Sequence, residues 1–487
     1  MSSIFRKRNP DVEDLFQKAG DKSKVMCVAF DYAKKSHTCI ICDGEGRQLH
    51  KRMDIDNNQA GFDFLLNIIA GLCRKHHIKH EHIFLGGEDC GSYAFNFIHA
   101  LVSRGFLVVG INTKQAKNER ENNKASTDLI DTIGVAGMMI KMRGRTIGTA
   151  IENVHGLKRL RRQRGAVLKA QSACKHRIYR IVDELLPGFL DTELSGIIPF
   201  SNASLWLMKE RFSAPEIHMR QKPSLVKHLR RFNLKDPEGA ANKLKLLTET
   251  ILPPAESMIP SLQRSLTEEN NIFTMLDESI HNLDSDIAKQ LAGTPGAMLT
   301  TIPGIGLRWA PGLYVELGDP ARRRNVHSMA ALGGIVPHMK QTGGPTKSGV
   351  TLHRTKNCSS FLKHILISSA ISVARYGDPE ICDAYQADKD MGRDARSRLA
   401  QHILRVSLHT IDKQTFYLPP SLHKDGSLDN ILEYYKMMWP KVLVKWRDRG
   451  AICEAVAEGA PLRQWRDMIQ ELYGLELSIK SPQTGRK

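Results

Sequence analysis

The sequence predicts an α/β domain at the N-terminal end, followed by a mainly α-helical remainder of the 487 residues. Three observations carry this. Up to about residue 150, short β-branched apolar runs alternate with helical patterns. Beyond it, long stretches keep the alternating 3/4 spacing of a single helix face. Gly and Pro stand at the joins.

The first element is the apolar run from Val25 to Phe30, which ends on Asp31 and reads as a core strand with a carboxylate at its tip. A second strand, His37 to Asp43, turns at Gly44-Glu45-Gly46, and a third returns through Leu49 to Ile55, making an antiparallel meander. No phosphate-binding glycine fingerprint follows the first strand. Phe62, Phe64, Leu65, Ile68, Ile69 and Leu72 then mark a helix, and His82 to Glu88 is another strand ending in an acid. A helix over 92–104, a strand from Leu107 to Ile111 and an amphipathic segment from about Thr127 complete the order βββαβαβα. Among known folds that order matches the ribonuclease-H-like one.

Four carboxylates fall at strand ends or at a helix start: Asp31, Glu88, Asp128 and Asp131. Asp128 and Asp131 are three apart, so a helix capped by Thr127 would carry both on one face of its first turn. Hard oxygen donors without neighbouring thiolate or imidazole sets suit Mg²⁺ or Mn²⁺, and such an ion pair would clamp the attacking and leaving oxygens of a phosphodiester displacement. The structural alternative is a set of solvated acids and helix caps. Cys39 and Cys42 form a C-x-x-C, but strand residues three apart point to opposite faces, so they are expected to be core residues rather than zinc ligands.

Composition bounds the partner. Lys and Arg number 70 against 52 Asp and Glu, a net charge of +18, so a polyanion is the natural ligand. No apolar stretch approaches a membrane-spanning length and no signal peptide opens the chain, so the expectation is a cytoplasmic, nucleoid-associated protein without a membrane partner. Nine irregularly spaced cysteines argue against a disulfide framework.

Two helical series follow, Leu157 to Leu185, stopped by Pro187-Gly188, and Leu266 to Ile287, before Gly293. They predict two arms of an antiparallel or intermolecular coiled coil, with residues 189–255 inserted between them. Arg159, Arg161, Arg162, Lys169, Lys175, Arg177 and Arg180 decorate the first arm, either as a solvated face or as a surface tracking a nucleic-acid backbone. From Thr300, Ile302-Pro303-Gly304-Ile305-Gly306 looks like the hairpin of a helix-hairpin-helix unit, and equally fits a plain interhelical turn. After Pro337 comes a glycine-punctuated basic loop offering the hydroxyls of Thr342, Thr346 and Ser348 among Lys340, Lys347, His353, Arg354 and Lys356. Such a loop binds phosphate or presents a nucleophile to it.

Together these motifs resemble the DEDD transposases and recombinases of bacterial insertion sequences, including the Piv-type DNA invertases, a family whose members are guided by a structured bridge RNA. The resemblance covers about residues 25–420 apart from the 189–255 insertion. Phe30-Asp31 with Lys34 resembles the first acid motif, Glu88-Asp89-Cys90-Gly91-Ser92-Tyr93 the second, and Thr127-Asp128 with Asp131 the third. Thr300 to Gly306, followed by Leu332 to Pro337, resembles the start of the transposase domain. The resemblance implies that Asp31, Glu88, Asp128 and Asp131 hold Mg²⁺ (or Mn²⁺) in a RuvC-like site. It further implies a hydroxyl nucleophile that links covalently to cleaved DNA. Where the family has a serine before a glycine, ungapped counting reaches Thr342, followed by Gly343-Gly344. The nucleophile is therefore Thr342 or nearby Ser348, or the chain is inactive, since threonine's β-methyl group hinders attack. The lysine that the family has before Thr127 is also missing, with Ser126 in its place.

The expected division is 1–150 RuvC-like catalytic domain, 151–295 coiled-coil arms with their insertion, 296–420 transposase domain and 421–487 C-terminal helical extension. In that extension Tyr435, Trp439, Leu443 and Trp446 share helical spacing and read as a buried face rather than a base-stacking surface. The expected function is strand cleavage and exchange at donor and target DNA sites by a homo-oligomer, with a noncoding guide RNA. Arg161, Arg162, Arg177, Lys340, Lys347 and Arg354 are candidate nucleic-acid contacts. The alternatives are a Holliday-junction-type metal nuclease, an invertase without guide RNA, and a non-catalytic nucleic-acid-binding protein.

Overall fold

The computed structural model describes residues 8–88, 93–112, 128–148, 151–209, 211–317, 325–340, 351–354, 358–449, 456 and 458–477. The chain divides into two compact units, residues 1–155 with 313–413, and residues 156–312 with 414–487. The four expected segments are distributed over these two units.

In the first unit, helix α1 (Pro10–Ala19) precedes strands β1 (Met26–Asp31), β2 (Ser36–Asp43) and β3 (Gln48–Asp56). Helix α2 (Gln59–His76), β4 (Ile83–Glu88), α3 (Phe95–Ser103), β5 (Leu107–Ile111), α4 (Asp128–Ile140) and β6 (Arg145–Ile147) follow. They build one sheet of order β3-β2-β1-β4-β5-β6. The meander β1-β2-β3 is antiparallel, β1-β4-β5 is parallel and β6 is antiparallel to β5. The βββαβαβα order read from the sequence is thus present, with α1 and β6 added. Asn9 caps α1 through Asp11 N–H and Pro10 opens it, a start signal that the apolar patterning alone had not revealed.

β1 is central, and the two-residue period divides its side chains between two cores. Met26, Val28 and Phe30 pack with Phe62, Leu65, Ile69 and Leu72 of α2 and with Phe97 and Leu101 of α3. Cys27 and Ala29 pack with Val12, Leu15 and Phe16 of α1 and with Val135, Ala136 and Met139 of α4. A strand covered on both faces must be apolar throughout, which is why Val25 to Phe30 shows no polar alternation. Cys39 lies in the first core and Cys42 in the second, on opposite faces as expected. The seven cysteines among the described residues are all free thiols.

The same unit holds α13 (Val326–Leu332), an antiparallel pair β7 (Pro337–Lys340) and β8 (Thr351–Arg354), and helices α14 (Ser360–Tyr376), α15 (Pro379–Asp390) and α16 (Ala395–Lys413). The glycine-punctuated segment expected after Pro337 as a loop is thus bounded by two short paired strands.

The long helix α5 (Ile151–Leu185) enters the second unit at Gly156, and there it runs antiparallel to α11 (Ile259–Ala292). Cross-links run in opposite order along the two helices: Arg164 Nη2 to Asp284 (3.0 Å), Gln171 to Asp277 (2.9 Å) and Arg177 Nη2 to Glu269 (2.9 Å). Between them lie α6 (Thr192–Ser195), α7 (Asn202–Lys209), α8 (Ala214–Met219), α9 (Lys222–Arg230) and α10 (Pro237–Thr250). Their apolar faces join Ile178 and Val182 of α5 and Leu266 and Phe273 of α11 in one core. Among the described residues no helix is long and apolar enough to cross a membrane.

The turn Ile302–Gly306 links a 3₁₀ helix (Pro295–Thr301) to α12 (Ala310–Leu317), and Gly304 there has φ +80°, a backbone conformation that only glycine adopts cheaply. The element before the turn is therefore a 3₁₀ helix, not the α-helix of a regular helix-hairpin-helix. Helices α17 (Pro420–Asp425), α18 (Leu428–Arg447) and α19 (Pro461–Tyr473) complete the unit. Tyr435, Trp439, Leu443 and Trp446 form the buried face of α18, as their spacing predicted. α18 holds the turn directly: Lys445 Nζ donates to the carbonyls of Thr300 (2.6 Å) and Ile305 (3.2 Å), and Trp446 Nε1 to Thr300 Oγ1 (3.1 Å).

Burial pulls the Lys445 ammonium down to about 8 from its ordinary 10.5, outweighing the carbonyls that favour the charged form. Between about pH 8 and 10.5 the unfolded chain keeps a proton that the folded chain has released, so stability rises with pH across that window. Denaturant unfolding at a series of pH values is expected to show this rise in the wild type and to lose it in Lys445→Met.

Candidate active site

Asp31 ends β1 and Glu88 ends β4. The strands are parallel neighbours, in a register that pairs Met26 with Ile83 and Phe30 with Gly87, so the two acids stand side by side one residue further on. Alternation sets the face. Phe30 belongs to the core under α2 and α3, and Phe84 to the core under α1 and α4. Asp31, one residue from Phe30, and Glu88, four from Phe84, therefore share the α4 face.

α4 packs across β1, β2, β4 and β5 on that face. Its last turn brings Ile140 toward Gly46, in the β2–β3 turn at the opposite end of β1 from Asp31. This directs its first turn, with Asp128 and Asp131, toward the strand ends carrying Asp31 and Glu88. Asp31, Glu88 and Asp131 are half-buried, and Asp128 is exposed. The expected cap Thr127 lies outside the described residues. By donor chemistry the four carboxylates fit a hard divalent cation. Among the described residues, no three His, Cys, Asp or Glu side chains are gathered closely enough to hold one as they stand.

Two residues that the sequence reading passed over shape this end of the sheet. His37, on β2, is buried against Phe97, Tyr32 and Phe30, with ring centroids 4.7, 5.2 and 6.5 Å away, and its Nδ1 accepts from Ala33 N–H (3.2 Å), fixing the turn that follows Asp31. Burial lowers its pKa, so the ring stays neutral and can accept. Asn57 Nδ2 donates to Lys34 O (3.2 Å) and Tyr93 O (3.0 Å), tying the segment after Asp31 to the segment after Glu88. Asn58 caps α2, and its neighbour Asn57, with no capping role, was the one available signal.

Gly87 is there because nothing larger fits. A Cβ would lie 2.3 Å from Tyr32 Cε2 and 2.7 Å from Phe30 O.

Of the remaining candidates, Lys340 and Arg354 stand on β7 and β8, with Lys340 paired to Thr351 and Arg354 to Pro337. Thr342, Lys347 and Ser348 belong to the segment joining these strands and lie outside the described residues. On α5, Arg161 is half-buried and Arg162 exposed, while Arg177 is exposed yet held by both oxygens of Glu269, so its charge is matched within the chain.

An acid-tipped mixed sheet followed along the chain by a mainly helical remainder is the class of protein that the fold defines, and comparison with known sequences gives the family. Residues 28–187 match the DEDD transposase model of the IS110 type, and residues 296–386 match the transposase IS116/IS110/IS902 family, together a little over half of the chain. The chain belongs to the IS110 family of transposases. It is 26% identical over 177 residues to an uncharacterized 43.6 kDa protein of insertion element IS110 from Streptomyces coelicolor, covering 35% of this chain and 41% of the relative. It is 30% identical over 96 residues to the pilin gene-inverting protein of Moraxella bovis, covering 19% of this chain and 27% of the relative. The chain thus spans less than half the length of either relative.

Proposed function

We propose that this protein is a DNA recombinase that cleaves and exchanges strands at defined donor and target sites, through a ribonuclease-H-like (RuvC-like) DEDD domain and a hydroxyl nucleophile. The observation that carries the reading is the parallel register of β1 and β4, which sets Asp31 and Glu88 side by side on the face covered by α4. The strand order β3-β2-β1-β4-β5 supports the ribonuclease-H-like assignment, and the antiparallel pair α5/α11 supports coiled-coil arms.

Asp31, Glu88, Asp128 and Asp131 would hold Mg²⁺ or Mn²⁺, which when bound supplies charge neutralisation at the reacting phosphate. Asp31, Glu88 and Asp131 are half-buried, which partly shields their oxygens from water, and the turn fixed by His37 holds the backbone that follows Asp31. Thr342, with Ser348 as the alternative, would supply the nucleophile. Its oxygen forms a bond to phosphorus as the bond to the leaving deoxyribose oxygen breaks, and the proton passes to solvent or a base. The phosphodiester is conserved in the protein–DNA link, so exchange and religation need no net hydrolysis. Site choice would be delegated to a noncoding guide RNA pairing with DNA, with the protein contributing backbone contacts, and the active species would be a homo-oligomer.

The test is to co-express the protein with the noncoding DNA flanking its gene, supply Mg²⁺ and candidate DNA, and map any peptide left on DNA after proteolysis. An adduct that disappears in Thr342→Val and persists in Ser348→Ala is the expected result. The converse pattern moves the nucleophile to Ser348. Free cleaved ends without an adduct would replace the recombinase by a metal nuclease.

A further inference from the structure

Residues 188–295 lie between the two segments that match the transposase models. The helices α6 to α10 in this stretch spend their apolar faces inward, where Leu207, Phe212, Ile217, Leu225, Leu229 and Leu244 are buried. What remains outward includes apolar residues such as Ile198 and Met219 but is rich in cations. From Lys209 to Lys245 the chain has ten Lys and Arg against four Asp and Glu.

Some of these cations have structural work. Lys243 Nζ donates to Glu193 O (2.9 Å) and Lys245 Nζ to Ile217 O (3.2 Å), closing helix ends. The outward face of α9 differs. Leu225, Val226 and Leu229 point into the core, while Lys222, Lys227 and Arg230 are exposed, followed by exposed Arg231. Lys222, Lys227 and Arg230 line an open recess with Pro223, Val226 and Glu238. Arg230 bonds Glu238 at 3.1 Å, whereas none of Lys222, Lys227 and Arg231 is paired with a carboxylate among the described residues.

We infer that the exposed basic side of α9 is a docking surface for the phosphate backbone of duplex DNA flanking the reacting site, with Lys227 and, just past the helix end, Arg231 one turn apart opposite the buried Leu225, Val226 and Leu229, and with Lys222 exposed at the N-terminal end. The inference rests on the recombinase reading, which makes DNA the polyanion at hand. From residue 222 to 231 the helix advances about 13 Å, the axial reach of roughly four phosphates of one strand. A duplex fits better than unpaired bases because the tryptophan packed against α9 is already engaged: Trp206 stacks on His228 at 4.7 Å and 16°, with the Arg220 guanidinium carbon 5.7 Å from its ring centroid. Phosphate contact is what the face offers, and such contact is independent of base sequence.

The test uses the full chain and duplex DNA across a salt series from about 50 to 200 mM. Lys222→Gln/Lys227→Gln/Arg231→Gln is expected to lower the slope of log affinity against log salt by about 2 to 3, since each lost phosphate contact removes about 0.9. Acetylation of the wild type gives a readout free of any folding defect, and duplex DNA is expected to protect Lys222 and Lys227. An unchanged slope and unprotected lysines, in a wild type that still rearranges DNA, would overturn the inference and leave the recombinase reading standing. A slope that changes with RNA but not with DNA would overturn it in favour of RNA. A wild type that neither binds nor rearranges DNA would remove the recombinase reading and this surface with it.

Discussion

Asp31→Asn is expected to lower strand cleavage and exchange on the order of 10³-fold while leaving the fold and DNA affinity nearly intact, because the loss of several kcal/mol of charge stabilisation at the reacting phosphate falls on the chemical step. The substitution keeps the shape of the side chain. Asp31 is the last residue of β1, half-buried, and beside Glu88 in the parallel register, so an amide there changes charge more than packing. The measurement is single-turnover conversion of a DNA substrate at saturating Mg²⁺, alongside a binding titration of the same substrate. Wild-type rates in the variant would remove Asp31 from the chemistry. A joint collapse of rate and binding would assign it a structural role instead.

Gly87→Val should destabilise the first unit by about 3 kcal/mol and abolish cleavage with it, through backbone displacement rather than through loss of a reacting group. An added Cβ meets Tyr32 and the Phe30 carbonyl well inside van der Waals contact, and neither can move independently. Tyr32 is stacked on Phe30 at 5.3 Å and Phe30 is fully buried, so relief requires β4 to shift away from β1 and carry Glu88 with it. Urea unfolding should show a lower midpoint in Gly87→Val. A stable Gly87→Val protein with full activity would mean that the β1–β4 contact does not govern the site.

The features legible in the sequence were those set by local periodicity. The buried strand of Val25 to Phe30, the long helices stopped at Pro187-Gly188 and Gly293, and the aromatic face of α18 each repeat at the period of their own element. The opposite faces of Cys39 and Cys42 follow from the same rule. Reading failed where a role depends on a partner far along the chain. Nothing near Asn57 says that it will join the segments after Asp31 and Glu88, and nothing near Arg177 says that Glu269 will take up its charge. The strands β7 and β8 are four residues each, too short to show a period, and exist through their pairing.

The sequence by itself determined that acids end two strands and open one helix, that the chain carries excess positive charge, and that its motifs are those of an insertion-sequence transposase, because spacing and residue chemistry are local properties. Only the tertiary structure decided that β4 lies parallel beside β1, so that Asp31 and Glu88 become neighbours under α4, and which cations, Arg230 among them, take internal partners while Lys222 and Lys227 of α9 stay exposed. Strand order and charge pairing arise from packing between segments tens to hundreds of residues apart, and no window of sequence contains both partners.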